Sequence, residues 1–216
     1  GFLDHAFLGS GTRTASWARL DTPSDCAVPD KFTFRFDRRL TVGEAPAAAV
    51  AAVEKLPAVA AAREAGLHVE VGIPRYTEPT WKGYQPGNEQ TYMGWETPEE
   101  HPAIQAAVEA YDRVVAPTVE SSGPGGSLKK TARVDRWIFS TDGVGFPIPI
   151  EGSGVAVSER KNWVRTEEFW HPPMFGFGPG IEQNTHKIGE VVDLRELQRA
   201  VAMMARFPTV YAGRQG

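Results

Sequence analysis

Phe175-Gly-Phe-Gly-Pro-Gly-Ile-Glu-Gln-Asn-Thr-His186-Lys-Ile-Gly-Glu190 is the stretch on which the fold of this chain turns. An apolar, strand-like entry runs into a Gly-Pro-Gly turn. A single His follows on the loop, and a helix start stands at Asp193. In open α/β folds ligands bind beyond the carboxyl ends of strands, so the residues after such a turn sit where a site is built. Neutral imidazole is a metal-ligand type, but a catalytic zinc takes about three protein ligands, and one His is not a site. From the residues alone, His186 is either a solvated loop side chain or one member of a larger ligand set.

The 216-residue chain has room for one large or two small domains. Its formal net charge is -4 and no dense Lys/Arg stripe appears, which argues against a nucleic-acid partner. No apolar run approaches the ~20 residues of a membrane helix, so no membrane role is expected. Gly1-Phe-Leu-Asp-His5 shows no basic region followed by an apolar stretch, so no signal peptide is read. It also lacks an initiator Met, which suggests a processed chain, a fragment or an expression-vector remnant. Cys26 is the single cysteine; it excludes an internal disulfide and suits a reducing, cytoplasmic compartment.

The first part reads as strands and one helix. Thr12 to Leu20 alternates weakly. Lys31 to Arg39 alternates cleanly, with Phe32, Phe34 and Phe36 on one face and Thr33, Arg35, Asp37 and Arg39 on the other. That pattern predicts a strand buried on one side, as in an antiparallel sheet. The link between them, Thr22-Pro-Ser-Asp-Cys-Ala-Val-Pro-Asp30, is rich in turn formers. Gly43 to Leu56 predicts a helix that Pro57 kinks or ends; alanines to Ala65 extend the pattern, and Gly66 stops it. Leu67, Val69, Val71 and Ile73 then alternate as a further half-buried strand. Strand, strand, helix, strand is the latter part of a ferredoxin-like layer with helices on one face. Residues 75 to 97 form a long loop bearing Tyr76, Trp81, Tyr84, Tyr92 and Trp95, either a functional surface or a satellite core.

A second layer begins near residue 98. Thr97-Pro-Glu-Glu100 resembles a capping box, and His101-Pro102 is an alternative helix start. Ile104, Val108, Tyr111 and Val115 keep a helical stripe until Pro117. Ser121-Ser-Gly-Pro-Gly-Gly-Ser127 reads as a connector; no Walker spacing makes it a phosphate loop. Val134 to Ser140, ending Trp137-Ile-Phe139, predicts a strand covered on both faces, and Thr141-Asp142-Gly143 turns off its end. Residues 144 to 171 read as irregular, with His171 either a site residue or a packed one. Pro172 to Phe177 predicts the next buried strand. Asp193-Leu-Arg-Glu196 opens a last helix with Leu194, Leu197, Val201 and Met204 as its apolar face. The class is α/β, divided into residues 1–97 and 98–216.

Four places in this order carry a resemblance to a known family. They are Ala27-Val-Pro29 through Phe36-Asp-Arg-Arg-Leu-Thr41; His101-Pro-Ala-Ile-Gln-Ala-Ala107; Ser140-Thr-Asp-Gly143; and Gly176-Phe-Gly-Pro-Gly180 with His186 and Glu190. Together they resemble the C-terminal half of the M20 metallopeptidases and deacylases, a family that includes aminoacylases and carboxypeptidases. The wording is closest to its selenium-metabolism-linked hydrolases and to the branch of succinyl-diaminopimelate desuccinylase and acetylornithine deacetylase.

The resemblance implies part of a ferredoxin-like lid or dimerisation domain in residues 1–97, followed by the C-terminal part of a zinc-peptidase-like α/β domain in 98–216. It implies that His186 is the last ligand of a two-zinc site, that Asp142 and Gly180 border the substrate cleft, and that Arg39 binds a substrate carboxylate. A guanidinium suits that role, although an ion pair with Asp37 or Glu70 is its alternative. Cys26 stands where the branch has an Asn that polarises the scissile carbonyl; a thiol is a poor donor, so a small buried residue is expected there. The family's other ligands and its general-base carboxylate precede the lid and have no counterpart here. The implied protein is therefore a zinc-dependent amide hydrolase that is inactive as this chain alone. It would need an N-terminal half or companion subunit, and its substrate would be a small acylated amino acid or peptide-like molecule with a carboxylate. A homodimer or hetero-oligomer is expected. The alternative is a non-catalytic M20-like subunit, a binding or oligomerisation module.

Overall fold

The structure is a computed structural model, and it describes residues 2–119, 128–137, 139–150, 160, 162–165 and 169–214. Its helices and small antiparallel sheets make a mixed α/β protein. The chain divides into two compact units, Gly1–Trp95 and Glu96–Gly216.

In the first unit β1 (Asp4–His5) pairs with β2 (Gly9–Ser10), and β3 (Thr12–Asp21) pairs with β4 (Lys31–Arg39), both antiparallel. The weak alternation of β3 has a local cause: the register shifts between Ala15 and Trp17, so Ser16 is an extra residue in the ladder. Such a bulge moves every later side chain to the other face. Ala15, Ala18 and Leu20 therefore oppose Phe36, Phe34 and Phe32, while Trp17 opposes Arg35, whose guanidinium lies 5.0 Å from the indole centroid.

The phenyl face of β4 was expected to be buried; instead Phe32 is 60% and Phe34 47% exposed. Among the described residues, every buried hydrophobic side chain falls in the second unit, so the first has nothing with which to cover its sheet. What ties this unit together is polar. The Glu44 carboxylate accepts from the Leu3 and Thr41 amides, each at 3.0 Å, and from Arg38. Partial burial pushes this carboxyl up, but those donors outweigh it and hold it below the ordinary carboxylate value.

Pro57 ends rather than kinks the predicted helix, giving α1 (Pro46–Glu54) and α2 (Pro57–Glu64) joined by a 2.7 Å Arg63–Glu54 ion pair. Gly66 takes φ 82° beyond α2, a conformation glycine adopts without a Cβ penalty. The strand expected over Leu67 to Ile73 is absent: among the described residues no ladder forms there, and one bridge, Arg75 with Glu89, follows. A strand needs a neighbour's backbone as well as alternation, and no neighbour is offered. Cys26 is exposed, not buried, because the link between β3 and β4 projects from the end of an uncovered ribbon.

The second unit is built on α3 (Pro102–Val114) and α4 (Leu194–Gly213). Ala106, Ala110, Tyr111 and Val115 face Met203 and Val210 in its core. The helix starts are explicit. The capping box at Thr97 does not form; Thr97 instead exchanges hydrogen bonds with Met174, donating at 2.7 Å and accepting at 3.0 Å. His101 is the N-cap, with Nδ1 accepting from the Ala103 amide at 3.1 Å. That bond makes Nε2 the protonated nitrogen, donating to the Asn162 carbonyl at 3.1 Å. Asp193 caps α4 by accepting from the Arg195 amide at 2.8 Å. Glu196 does not close a box with it. Buried, it accepts from Leu128 N at 3.0 Å and from Arg199 at 2.7 Å.

The apolar face expected for the last helix is the exposed one; Glu196, Ala200, Met203 and Val210 are buried instead. The strand expected over Pro172 to Phe177 is also absent from the ladders. Phe177 and Phe175 instead enter the helix pair edge-on, against Tyr111 at 5.8 Å and Phe207 at 4.9 Å. The described part of Val134 to Ser140 forms no strand, and Trp137 is exposed. The stretch read as irregular holds a small sheet, β5 (Ile148–Pro149), β6 (Val164–Arg165) and β7 (Phe169–His171), in the order β5-β7-β6. Trp170 of β7 lies under the guanidinium groups of Arg160 and Arg165, at 5.4 and 5.3 Å. The Ser121–Ser127 connector and much of the 144–171 stretch lie outside the described residues. Among the described residues no helix is long and apolar enough to cross a membrane.

Candidate functional site

His186 sits in a loop bonded to itself. Asn184 N donates to Ile181 O at 2.8 Å, and Thr185 Oγ1 to the same carbonyl at 3.1 Å. Glu190 N donates to Lys187 O at 3.1 Å. The His-x-x-x-Glu spacing has a structural use: Glu190 Oε2 accepts from the His186 amide at 2.9 Å and closes the loop. His186 itself takes φ 61°, the left-handed region, which costs an L residue about 1–2 kcal/mol. Strain of that kind is held in place by surrounding structure and concentrates at functional sites. The glycines expected to provide the sharp turn do not carry it. Gly176, Gly178 and Gly180 have no positive φ, and a Cβ on any of them meets open space.

The imidazole of His186 stacks on Phe139, with centroids 4.8 Å apart and planes 12° apart. Trp137 packs on the edge of Phe139 at 5.9 Å. Phe139 immediately precedes the Ser140-Thr-Asp-Gly143 turn, where a 3-10 turn spans Asp142–Gly145 and Thr141 Oγ1 accepts from Gly143 N at 3.3 Å. One aromatic pair thus brings the Asp142 segment to the His186 loop. Asp142 and Gly180 are both exposed. Phe139 was missed as a site residue; its sequence signal was its place directly before the turn.

Arg39 belongs to the other unit. Its guanidinium pairs with Asp37 at 2.9 Å, both side chains being half exposed, while Glu70 pairs with His68 at 2.9 Å. His171 is a packed residue, buried in β7 with Nδ1 on the Pro172 carbonyl at 2.8 Å. Among the described residues no group of three His, Cys, Asp or Glu side chains is placed to hold a metal ion. The donors around His186 do not by themselves fit the zinc site that the resemblance implies, which needs three or four ligands.

A mixed α/β protein with one solvent-facing imidazole fixed on a strained loop is the class these features define. No protein-family model and no solved structure matches the chain. It is 32% identical over 202 residues to a protein of Escherichia coli strain K12, and equally to one of Escherichia coli O157:H7, both named "Uncharacterized protein YgeY". The match takes in 94% of this chain but 41% of each relative, so the chain spans less than half the length of the curated relatives it matches.

Proposed function

We propose that this chain is the C-terminal portion, or a subunit, of a zinc-dependent amide hydrolase of the M20 type, a deacylase or exopeptidase. The observation that carries the reading is the Phe139–His186 stack, because it sets two of the four motif segments, Ser140–Gly143 and His186–Glu190, side by side. In this reading residues 1–97 are part of a ferredoxin-like lid and 98–216 the end of a zinc-peptidase-like domain.

His186 offers one imidazole ligand, held by its loop bonds and its stack. Arg39 presents a planar fork suited to a substrate carboxylate, which would replace Asp37 as its partner. Asp142 and Gly180 would border the cleft. Zinc is the cofactor assigned to the completed site. Its remaining ligands and the general base belong to an N-terminal half or companion subunit, so this chain alone is inactive. The substrate is a small acylated amino acid or peptide-like molecule with a free carboxylate, and the compartment is cytoplasmic.

The test is hydrolysis of N-acetyl and N-succinyl amino acids by the complex purified from cells, wild type against His186→Ala. The reading predicts that the variant folds and assembles but loses zinc and activity. Equal hydrolysis with and without His186 overturns its metal role.

A second reading, a non-catalytic M20-like subunit or oligomerisation module, is favoured by the uncovered Phe32 and Phe34 face of β4. A complex that takes up no zinc and cleaves none of these amides selects it.

A further inference from the structure

Helix α4 is apolar on two faces. One holds Ala200, Met203 and Val210, buried in the core with α3. At about 100° per residue, Leu194, Leu197, Val201 and Met204 fall on a second stripe, turned well away from the first. These four are 70%, 42%, 62% and 49% exposed. Arg195 and Gln198 lie to one side of the stripe, and Val191 and Val192, just before the cap, are exposed as well. A helix at a protein surface carries one apolar stripe and is polar opposite it; a helix apolar on two sides is packed on two sides.

The size of this patch bears on what covers it. From Leu194 to Met204 the stripe is roughly 15 Å long. Four side chains fall well short of the ~800 Å² per partner that a stable interface between separate proteins buries. A second copy meeting the chain through this stripe alone would not be held. An occupant that also meets other parts of the unit would be, and the unit offers such parts. Residues 132–137 carry Trp137 exposed and join no strand ladder among the described residues. The E. coli relatives supply a source for the occupant, since 41% of their length is matched and the larger share is not.

We infer that the outward face of α4, centred on Leu197 and Val201, is the docking surface for polypeptide equivalent to the unmatched share of those relatives. The inference rests on the companion required by the proposed function, and not on its zinc or its amide chemistry.

The experiment places a photo-crosslinking benzoylphenylalanine at Val201 or, as control, at Arg195 on the polar flank, in the protein as its own cells produce it. After irradiation the crosslinked peptides are identified by mass spectrometry. The expected result is a crosslink from Val201, absent from Arg195, to a sequence outside residues 1–216 that aligns with the unmatched part of the E. coli relatives. A crosslink to residues 1–95, to a second copy, to an unrelated protein, or none at all overturns the inference. Where the companion is a separate chain, Leu197→Lys with Val201→Lys gives a second readout: the companion is lost on purification while the unfolding midpoint of the isolated chain is unchanged, because both side chains face solvent there. Retention of a separate companion by that variant also overturns it; where the two form one longer polypeptide, the crosslink decides. Should the crosslink form in a complex without zinc or amidase activity, the proposed function falls and the docking surface stands.

Discussion

The imidazole of His186 lies parallel to the phenyl ring of Phe139, 4.8 Å away and tilted by 12°. A left-handed backbone at His186 and the Glu190 carboxylate on its amide fix the same residue from the main-chain side. An exposed loop histidine is ordinarily free to rotate. This one is oriented by three features of its own chain.

Phe139→Leu removes the ring and keeps an apolar side chain. A ring pair of this kind contributes about 0.5–1.5 kcal/mol beyond its buried area, and Phe139 makes two, with His186 and with Trp137, so the variant is destabilised by about 1–3 kcal/mol. The His186 ring protons, shielded by the phenyl face, move downfield in its NMR spectrum. Unchanged ring-proton shifts contradict the stack.

Glu196 is buried and holds two other segments. Its carboxylate takes the Leu128 amide and Arg199, and Arg199 in turn reaches Thr118 Oγ1 at 3.0 Å. Glu196→Ala leaves the buried Leu128 amide without its acceptor and the Arg199 guanidinium without its carboxylate, with Thr118 alone left to it. Breaking a buried pair from one side costs about 3–5 kcal/mol. Glu196→Gln keeps an acceptor for Leu128 and is expected to lose less. Urea unfolding of both variants checks the order, and an equal loss for Ala and Gln sinks this account.

Asp193 gives α4 a signature in acid. The Arg195 side chain first, and its amide second, pull this carboxyl from 3.8 down to about 2. The folded value lies below the unfolded one. The cap's contribution is therefore fully present above pH 3.8 and lost as pH falls through about 2. The Arg195 amide resonance should titrate with that lower midpoint, and Asp193→Asn should abolish the titration.

The exposed phenyl face of β4 predicts tolerance. Replacing Phe32 and Phe34 with Thr keeps side chains that favour strands and removes little buried area. The Phe32–Phe34 and Phe34–Phe36 ring contacts, at 5.4 and 5.0 Å, are lost with those rings, at about 0.5–1.5 kcal/mol each, so stability of the chain alone should fall by no more than about 3 kcal/mol. A larger loss in thermal unfolding means that the face is covered in solution.

What the sequence revealed was local. The period of two in Lys31–Arg39, the helix break at Pro57, the stop at Gly66 and the cap at Asp193 each depend on a few neighbouring residues. Among the described residues no strand forms at Leu67 to Ile73, in the described part of Val134 to Ser140, or at Pro172 to Phe177, because a ladder needs a partner that a local apolar pattern cannot supply. The slip at Ser16 hid the pattern of β3. In α4 hydrophobicity singled out Leu194, Leu197, Val201 and Met204, whereas the buried face is Ala200, Met203 and Val210 with Glu196, whose carboxylate binds the Leu128 amide and Arg199. Of the site, His186 and the Asp142 turn were legible as motifs; the Phe139 platform, a tertiary contact, was not.

Native mass spectrometry of the protein purified from its own cells, followed by the same sample denatured, decides whether further polypeptide and zinc complete this chain. The expected result is a polypeptide mass beyond that of residues 1–216, as a second chain or a longer one, with zinc retained in the native ions and lost on denaturation. A lone chain of the calculated 23.6 kDa, free of metal and of any companion, contradicts it.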